Sequence, residues 1–170
     1  MMMSKKMQDA LNGQINAEMY SAYLYLAMNA YFQSINFNGF AQWMKVQYQE
    51  EMMHAMKIYD FIAERGGRIV LDAIDKPQGQ WKSPLAAFEA AYKHEQKVTG
   101  LIHGLVELAK KEKDHAADIF LQWFVTEQVE EENNASDIVA KLKMLKDSAG
   151  QMFMLDRELG KRKAESEGDE

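Results

Sequence analysis

The sequence predicts an all-α fold: a four-helix up-and-down bundle with one long crossover between the second and third helices, closed by a short fifth helix. Three observations predict it. Four long segments repeat apolar residues at alternating three- and four-residue steps, the period of one helix face. Between the second and third of them lies Arg68 to Lys82, a stretch that reads as neither helix nor hairpin. After Gly150 a short amphipathic piece, from about Gln151 to Gly160, places Met152, Leu155 and Leu159 on one side.

The first helix is expected from about Lys5 to Ser34, with a seam of Leu11, Ile15, Glu18, Ala22, Tyr25, Asn29 and Phe32. Asn36-Phe37-Asn38-Gly39 is a turn signal. The second helix carries Phe40, Met44, Ile58 and Phe61 and stops at Gly66-Gly67. A helix of about 27 residues is about 40 Å long. If the third helix runs parallel to the second, the chain must return that distance, and about 15 extended residues reach roughly 50 Å. Ser83-Pro84 opens the third helix as N-cap and first helical residue, with a seam of Phe88, Ala91, Glu95, Val98, Ile102, Leu105 and Ala109. Asp114 can cap the fourth, whose seam is Ala117, Leu121, Phe124, Gln128, Glu131, Ala135, Ile138, Leu142 and Leu145; Gly150 ends that helix or marks a break nearby. Residues 1–163 are expected to form one domain. The polar end, 164–170, is expected to be a disordered tail.

Each seam is interrupted by polar groups. On the second helix the apolar stepping lands on Gln47, Glu51 and His54, where hydrophobic groups should be buried. A buried charge is costly unless it is paired or binds a metal. Glu-x-x-His alone is common on solvated helices, and each seam glutamate alone could be a rim charge. The joint pattern carries more. From Glu18 to Glu51 is 51 − 18 = 33 positions and to His54 is 36; from Glu95 to Gln128 is 128 − 95 = 33 and to Glu131 is 36. Two helical hairpins thus repeat one polar register. Residues equally far from the turn of an antiparallel hairpin lie at one height, so all six groups are expected in one layer.

Four carboxylates in an apolar layer repel one another strongly when ionised. Two divalent cations match Glu18, Glu51, Glu95 and Glu131 charge for charge. Oxygen ligands with one imidazole suit iron or manganese better than a structural zinc. A carboxylate from each of two helices, with i, i+3 pairs from the other two, is the arrangement of di-iron bundle sites. Here the second pair is Gln128 and Glu131 rather than Glu and His. Tyr25 lies two turns from Glu18 on the same stripe. His94 points about 100° away from Glu95 and is left out, His103 and His115 read as ordinary, and Glu132 reads as part of a solvated acidic run.

Composition excludes several function classes. With 47% hydrophobic residues in 170, one domain can bury a sizeable core. A net charge of −6 disfavours nucleic acid as a partner and favours cations. The chain has no cysteine, which excludes disulfides, thiolate zinc, iron–sulfur ligation and thiol catalysis. No stretch reaches the roughly 18 apolar residues of a transmembrane helix, so no membrane partner is expected and a cytoplasmic location is.

Asn16-Ala17-Glu18-Met19-Tyr20-Ser21-Ala22-Tyr23-Leu24-Tyr25, Gln49-Glu50-Glu51-Met52-Met53-His54, Tyr92-Lys93-His94-Glu95 and Phe120 to Glu132 resemble the non-haem ferritins of bacteria and archaea, and the likeness covers nearly the whole chain. The resemblance implies a ferroxidase that stores iron. Glu18, Glu51 and His54 match the family's first iron position; Glu51 bridges to a second with Glu95 and Glu131, and Gln128 stands close by. Tyr25 matches a tyrosine beside the site that supplies an electron or a hydrogen bond. Glu50, Glu127 and Glu130 match a third iron position. The resemblance also implies a hollow homo-oligomeric shell of 24 subunits, with iron and dioxygen or peroxide as the molecules handled. Bacterioferritins place histidine three residues after the fourth-helix glutamate; here Glu131 follows Gln128 and Glu130 follows Glu127. Met52 falls where bacterioferritins place a haem ligand, yet non-haem ferritins also carry methionine there, and no haem is expected. Rubrerythrins add a cysteine-ligated iron domain that this chain cannot form.

Two rivals remain at this stage. A di-metal oxygenase or peroxidase needs a substrate pocket beside the metals, and seams filled with Phe and Leu argue against one. A non-enzymatic scaffold or DNA-binding shell needs a basic patch that the sequence does not offer.

Overall fold

Three of the five helices are capped by the side chain of their own N-cap residue. In the computed structural model, which describes residues 3–146 and 148–164, Ser4, Ser83 and Asp114 each accept a hydrogen bond, at 3.1 Å, from the main-chain N–H three residues on. They open α1 (Lys5–Ser34), α3 (Pro84–Glu112) and α4 (His115–Leu145). Helix α2 spans Asn38–Glu64 and α5 Ala149–Leu159. The fold is therefore all-α, a four-helix bundle with a short C-terminal fifth helix, as the periodicity predicts. The break expected at or near Gly150 is present. The break after α4 falls at Lys146, in the left-handed region with φ 44°, and Gly150 sits inside the first turn of α5. Of the polar end, residues 165–170 lie outside the described residues. Among the described residues no helix is long and apolar enough to cross a membrane.

Contacts fix the directions. Phe32 meets Phe88 while Tyr25 meets Glu95, so α1 and α3 are antiparallel. Gln47 meets Glu131 while Phe61 stacks on Phe120, so α2 and α4 are antiparallel too. The crossover makes the return journey along α1. Gln8, Asn12 and Asn16, one turn apart, bond the main chain at Arg68, Val70 and Ala73, and Trp81 packs edge-on against Tyr31 at 5.3 Å. Three amide side chains thus supply the main-chain partners that an extended segment lacks. At the start of the crossover Gly66 adopts φ 68°, and Gly67 N–H closes back onto the Ile62 carbonyl, which ends α2.

The apolar interior forms two clusters. One joins Tyr25, Phe32, Phe40, Met44, Phe88 and Leu142. The other joins Leu11, Ile15, Ile58, Ile102, Leu121 and Phe124. On every one of the four long helices, the residues of the repeated polar register fall between the part that enters one cluster and the part that enters the other, while Asn29 of α1 lies within the first.

Helix α2 begins without a capping side chain of its own, because Phe37 occupies the N-cap. Asp156 of α5 fills the role from outside, its Oδ1 accepting from Phe40 N–H at 2.8 Å. The docking is close enough that a Cβ on Gly39 would collide with the Asp156 main-chain carbonyl. A carboxylate at a helix N-terminus also meets the positive end of the helix dipole. Asp156→Ala is therefore expected to lower stability by about 1–2 kcal/mol, and Gly39→Ala to lower it further by displacing α5. Thermal unfolding of both variants checks this; an unchanged melting temperature for Asp156→Ala would show that α2 does not depend on the borrowed cap.

Candidate metal centre

Nine polar side chains project into the layer between the clusters, all buried: Gln14, Glu18 and Tyr25 from α1, Gln47, Glu51 and His54 from α2, Glu95 from α3, Gln128 and Glu131 from α4. They are there because the helical period carries each seam through the core at that height. The six groups of the repeated register are thus together in the interior.

They divide into two kinds of environment. In the first, Glu18, Glu51 and His54 each offer a ligand atom within 4.8 Å of the others. Gln14 donates to Glu18 Oε1 at 2.8 Å. Glu18 Oε2, Glu51 Oε2 and His54 Nε2 are buried without a hydrogen-bond partner. Glu51 Oε2 does lie 3.4 Å from His54 Nδ1, a close contact that lacks the alignment of a hydrogen bond. Orphaned buried polar atoms are rare and call for an explanation. A cation seated among them supplies one.

In the second environment the carboxylates are occupied. Tyr25 Oη donates to Glu95 Oε1, and Gln128 Nε2 donates to Glu95 Oε2 at 3.2 Å. Gln47 Nε2 donates to Glu131 Oε2 at 2.8 Å. Glu131 also joins His54 and Glu127 in a second set of ligand atoms within 4.8 Å, with His54 Nε2 3.8 Å from Glu127 Oε1. Glu95 enters neither set of three.

The electrostatics follow from crowding. Burial, then the charges of Glu95, Glu18 and Glu131, pushes the Glu51 carboxyl well above its ordinary range. Burial likewise raises Glu18, and raises Glu131 well above normal. Glu95 is pushed up to about 7, burial outweighing the bonds from Tyr25 and Gln128 that pull it down. Tyr25 is driven well above the usual phenol range by burial and by the carboxylates around it. His54 is lowered to about 4 by burial and by Lys57, so its ring is neutral with a lone pair to offer.

The three residues expected at a further iron position are placed differently. Glu127 is half-buried beside His54, Glu50 is half-buried and paired with Arg162 at 2.6 Å, and Glu130 is exposed. Glu132, read from sequence as solvated, is half-buried and accepts from Thr99 Oγ1 at 2.6 Å. His94 does turn away from the carboxylates, its Nε2 2.7 Å from Ser21 Oγ, yet its ring stands edge-on to Tyr25. His103 and His115 are exposed.

With this geometry in hand, comparison with known proteins is decisive. The ferritin family model, a ferritin-like domain, matches residues 8–145. The chain belongs to the ferritin family. A bacterial non-heme ferritin of Bacteroides fragilis is 48% identical over 161 residues, spanning 95% of this chain and all of that one. A probable bacterial non-heme ferritin-like protein of Haemophilus influenzae is 39% identical over 159 residues, 94% of this chain and 96% of its own. Among solved structures, an open pore ferritin from the hyperthermophilic archaeon Archaeoglobus fulgidus superposes with a TM-score of 0.94 at 57% identity, covering 95% of this chain and 99% of that one. An engineered closed form of that ferritin gives 0.95 at 57%, covering 96% and 99%.

Within this ferritin chain, sequence reasoning did not assign roles to Gln14, Gln47, Thr99 or Arg162. A signal for the first two exists. Gln14 stands four before Glu18 and Gln47 four before Glu51, and 47 − 14 = 33 repeats the register of the carboxylates. The equivalent positions of the second hairpin, Ala91 and Phe124, are apolar.

A carboxyl whose folded-state value exceeds its unfolded one stabilises the chain through its proton. For Glu95 that contribution is complete below pH 4.5 and is lost as pH rises through about 7. His54, lowered from 6.5 to about 4, works in the opposite sense, adding stability as pH rises across that interval. The metal-free protein with Glu95→Gln is therefore expected to lose less stability than wild type between these limits. Calorimetric unfolding of chelator-treated protein across that window checks it, and parallel pH slopes for the two proteins would exclude Glu95 as the cause.

Proposed function

We propose that the chain is an iron-storage ferroxidase: it oxidises Fe(II) with dioxygen at the buried carboxylate layer and passes ferric iron to a mineral held inside a shell of its own copies. The observation that carries this reading is the orphaned trio of Glu18 Oε2, Glu51 Oε2 and His54 Nε2 in a layer of four buried carboxyls. The family relationship supports it. Iron is here the substrate, and the chain's residues do three things to it.

First, they draw it in. Displacing the protons held on Glu18, Glu51, Glu95 and Glu131 gives a set of four negative charges that two divalent ions match. Cation binding therefore releases protons, and affinity rises with pH. Second, they shift its redox balance. Anionic oxygen ligands stabilise Fe(III) over Fe(II), which lowers the potential and favours electron transfer to oxygen. Tyr25, buried and bonded to Glu95, holds that carboxylate in place and can give an electron or a proton. Third, they let the product go. In the first half of the layer, ligand atoms stand ready and unpartnered. In the second half, Glu95 and Glu131 already accept bonds from Tyr25, Gln128 and Gln47, so a cation there competes with neutral donors and is held less tightly. Gln128 adds no charge of its own. Glu127, half-buried beside His54 and Glu131, offers the next step outward.

A di-metal oxygenase acting on an organic substrate fits less well, because aromatic rings pack the space beside the site. His54 stands edge-on to Trp123 at 5.4 Å and to Phe124 at 6.0 Å. Mixing the metal-free protein with Fe(II) in air tests the proposal. Glu51→Ala and Glu131→Ala are each expected to form ferric product about tenfold more slowly, or worse, with light-scattering mass confirming intact assembly. Oxidation as fast as wild type in both variants would defeat the site assignment.

A further inference from the structure

Behind Glu95 a chain of hydrogen bonds runs outward through Gln128 and Thr99 to Glu132. Gln128 Nε2 stands 3.3 Å from the Glu95 main-chain carbonyl, 3.2 Å from Glu95 Oε2 and 3.2 Å from Thr99 Oγ1. Three oxygens therefore surround one amide nitrogen, which carries two hydrogens. A threonine hydroxyl is able to donate as well as accept at such a meeting point. Here its hydrogen goes the other way, because Thr99 Oγ1 donates to Glu132 Oε1 at 2.6 Å. With that hydrogen committed, the hydroxyl turns a lone pair toward Gln128.

Helical spacing makes the arrangement possible. Thr99 stands one turn after Glu95 on α3, and Glu132 one turn after Gln128 on α4, so the two pairs interlock across the hairpin. Glu132 ends the chain at the edge of the bundle, where it borders an open groove with Tyr92, Val125 and Val129. Among the described residues no lysine or arginine pairs with it, and the Thr99 hydroxyl is its hydrogen-bond donor. Thr99 and Glu132 are both half-buried, outside the set of buried carboxyls.

We propose that Thr99 is a positioning residue for Gln128: oriented by Glu132, its lone pair fastens the Gln128 amide nitrogen-first on Glu95, so that a cation reaching Glu95 must displace a held donor. The proposal rests on the iron-handling reading above and deepens it, by naming the residues that keep the second cation position weak. Thr99 acts through Gln128 and is not itself a ligand. Without its lone pair the amide keeps only its bonds to Glu95 and swings aside more easily when a cation arrives.

The test uses the assembled, metal-free protein and Co(II), titrated without oxygen, with calorimetry and the visible bands of the ion resolving successive binding steps. Glu95→Ala identifies the step that uses Glu95. Thr99→Val keeps the shape and loses the lone pair; it is expected to tighten that step about fivefold, the worth of one ordinary hydrogen bond, and to leave the other step unchanged. Thr99→Ser restores the hydroxyl and is expected to bind as wild type does. Glu132→Gln still accepts the hydroxyl hydrogen and is expected to match wild type too. Glu132→Ala frees that hydrogen to turn toward Gln128 and is expected to tighten the same step, which covers the case where Thr99→Val fails to assemble. A merely structural role would weaken both steps together. If Thr99→Val binds as wild type or more weakly while Glu95→Ala removes a step, Glu95 stands as a ligand and the positioning role is overturned. If Thr99→Ser tightens binding as much as Thr99→Val, packing rather than the lone pair is in control, and the proposal is overturned. If Glu132→Ala and Thr99→Val part company, the first matching wild type, Glu132 does not orient the hydroxyl and that part of the proposal fails. If Glu95→Ala leaves both steps intact, the reading of the second cation position fails first and the role of Thr99 falls with it.

Discussion

Four carboxyl groups buried between two apolar clusters are the constraint to which the rest of the molecule answers. Leaving one ion buried and uncompensated costs several kcal/mol, against a net stability of only about 5–15 kcal/mol for a domain. Four cannot be carried ionised and unattended. The chain meets the cost in two ways at once. Protons stay on, which is why all four carboxyls titrate above their usual range. Amide and phenol donors from Gln14, Gln47, Gln128 and Tyr25 take up part of the oxygen capacity. Among the described residues four atoms of the layer, Glu18 Oε2, Gln47 Oε1, Glu51 Oε2 and His54 Nε2, are left without a hydrogen bond.

The two hairpins share a register but not a chemistry, and the difference sets a direction. Where α1 and α2 meet, an imidazole and two carboxylates converge with open lone pairs. Where α3 and α4 meet, the histidine position of the repeat is filled by Glu131 and the glutamate position by Gln128, so anionic charge and hydrogen bonding replace nitrogen ligation. In one half of the layer carboxylate and imidazole lone pairs stand unbonded; in the other the carboxylates already accept bonds from amide and phenol donors. A centre that was tight on both sides would suit a resident cofactor. An uneven one suits cargo that enters, reacts and leaves.

Most of this was legible in the sequence because helices are periodic and straight. A seam drawn through Leu11, Ile15, Glu18, Ala22 and Tyr25 states which face is buried, and counting 33 and 36 positions states which polar groups share a height. Helix starts were legible where Ser83 and Asp114 do the capping. What stayed hidden depends on contacts between segments far apart in the chain. The cap of α2 comes from Asp156, 116 residues beyond the N–H it accepts. Arg162 reaches back across 112 residues to Glu50. Glu132 looks like the end of a solvated run until Thr99 is seen opposite it. No local pattern announces such partners. The one local hint was a deficiency: α2 has no capping residue at Phe37, and a helix start without a cap must find its acceptor elsewhere.

That deficiency links the ends of the chain to its middle. Because α2 borrows its cap from α5, the fifth helix must lie against Gly39, and because it lies there, the residues that follow pass over Trp43 and reach Glu50. What α5 adds is the missing cap of α2 and a course for the chain after it that lays Arg162 on Trp43 and pairs it with Glu50.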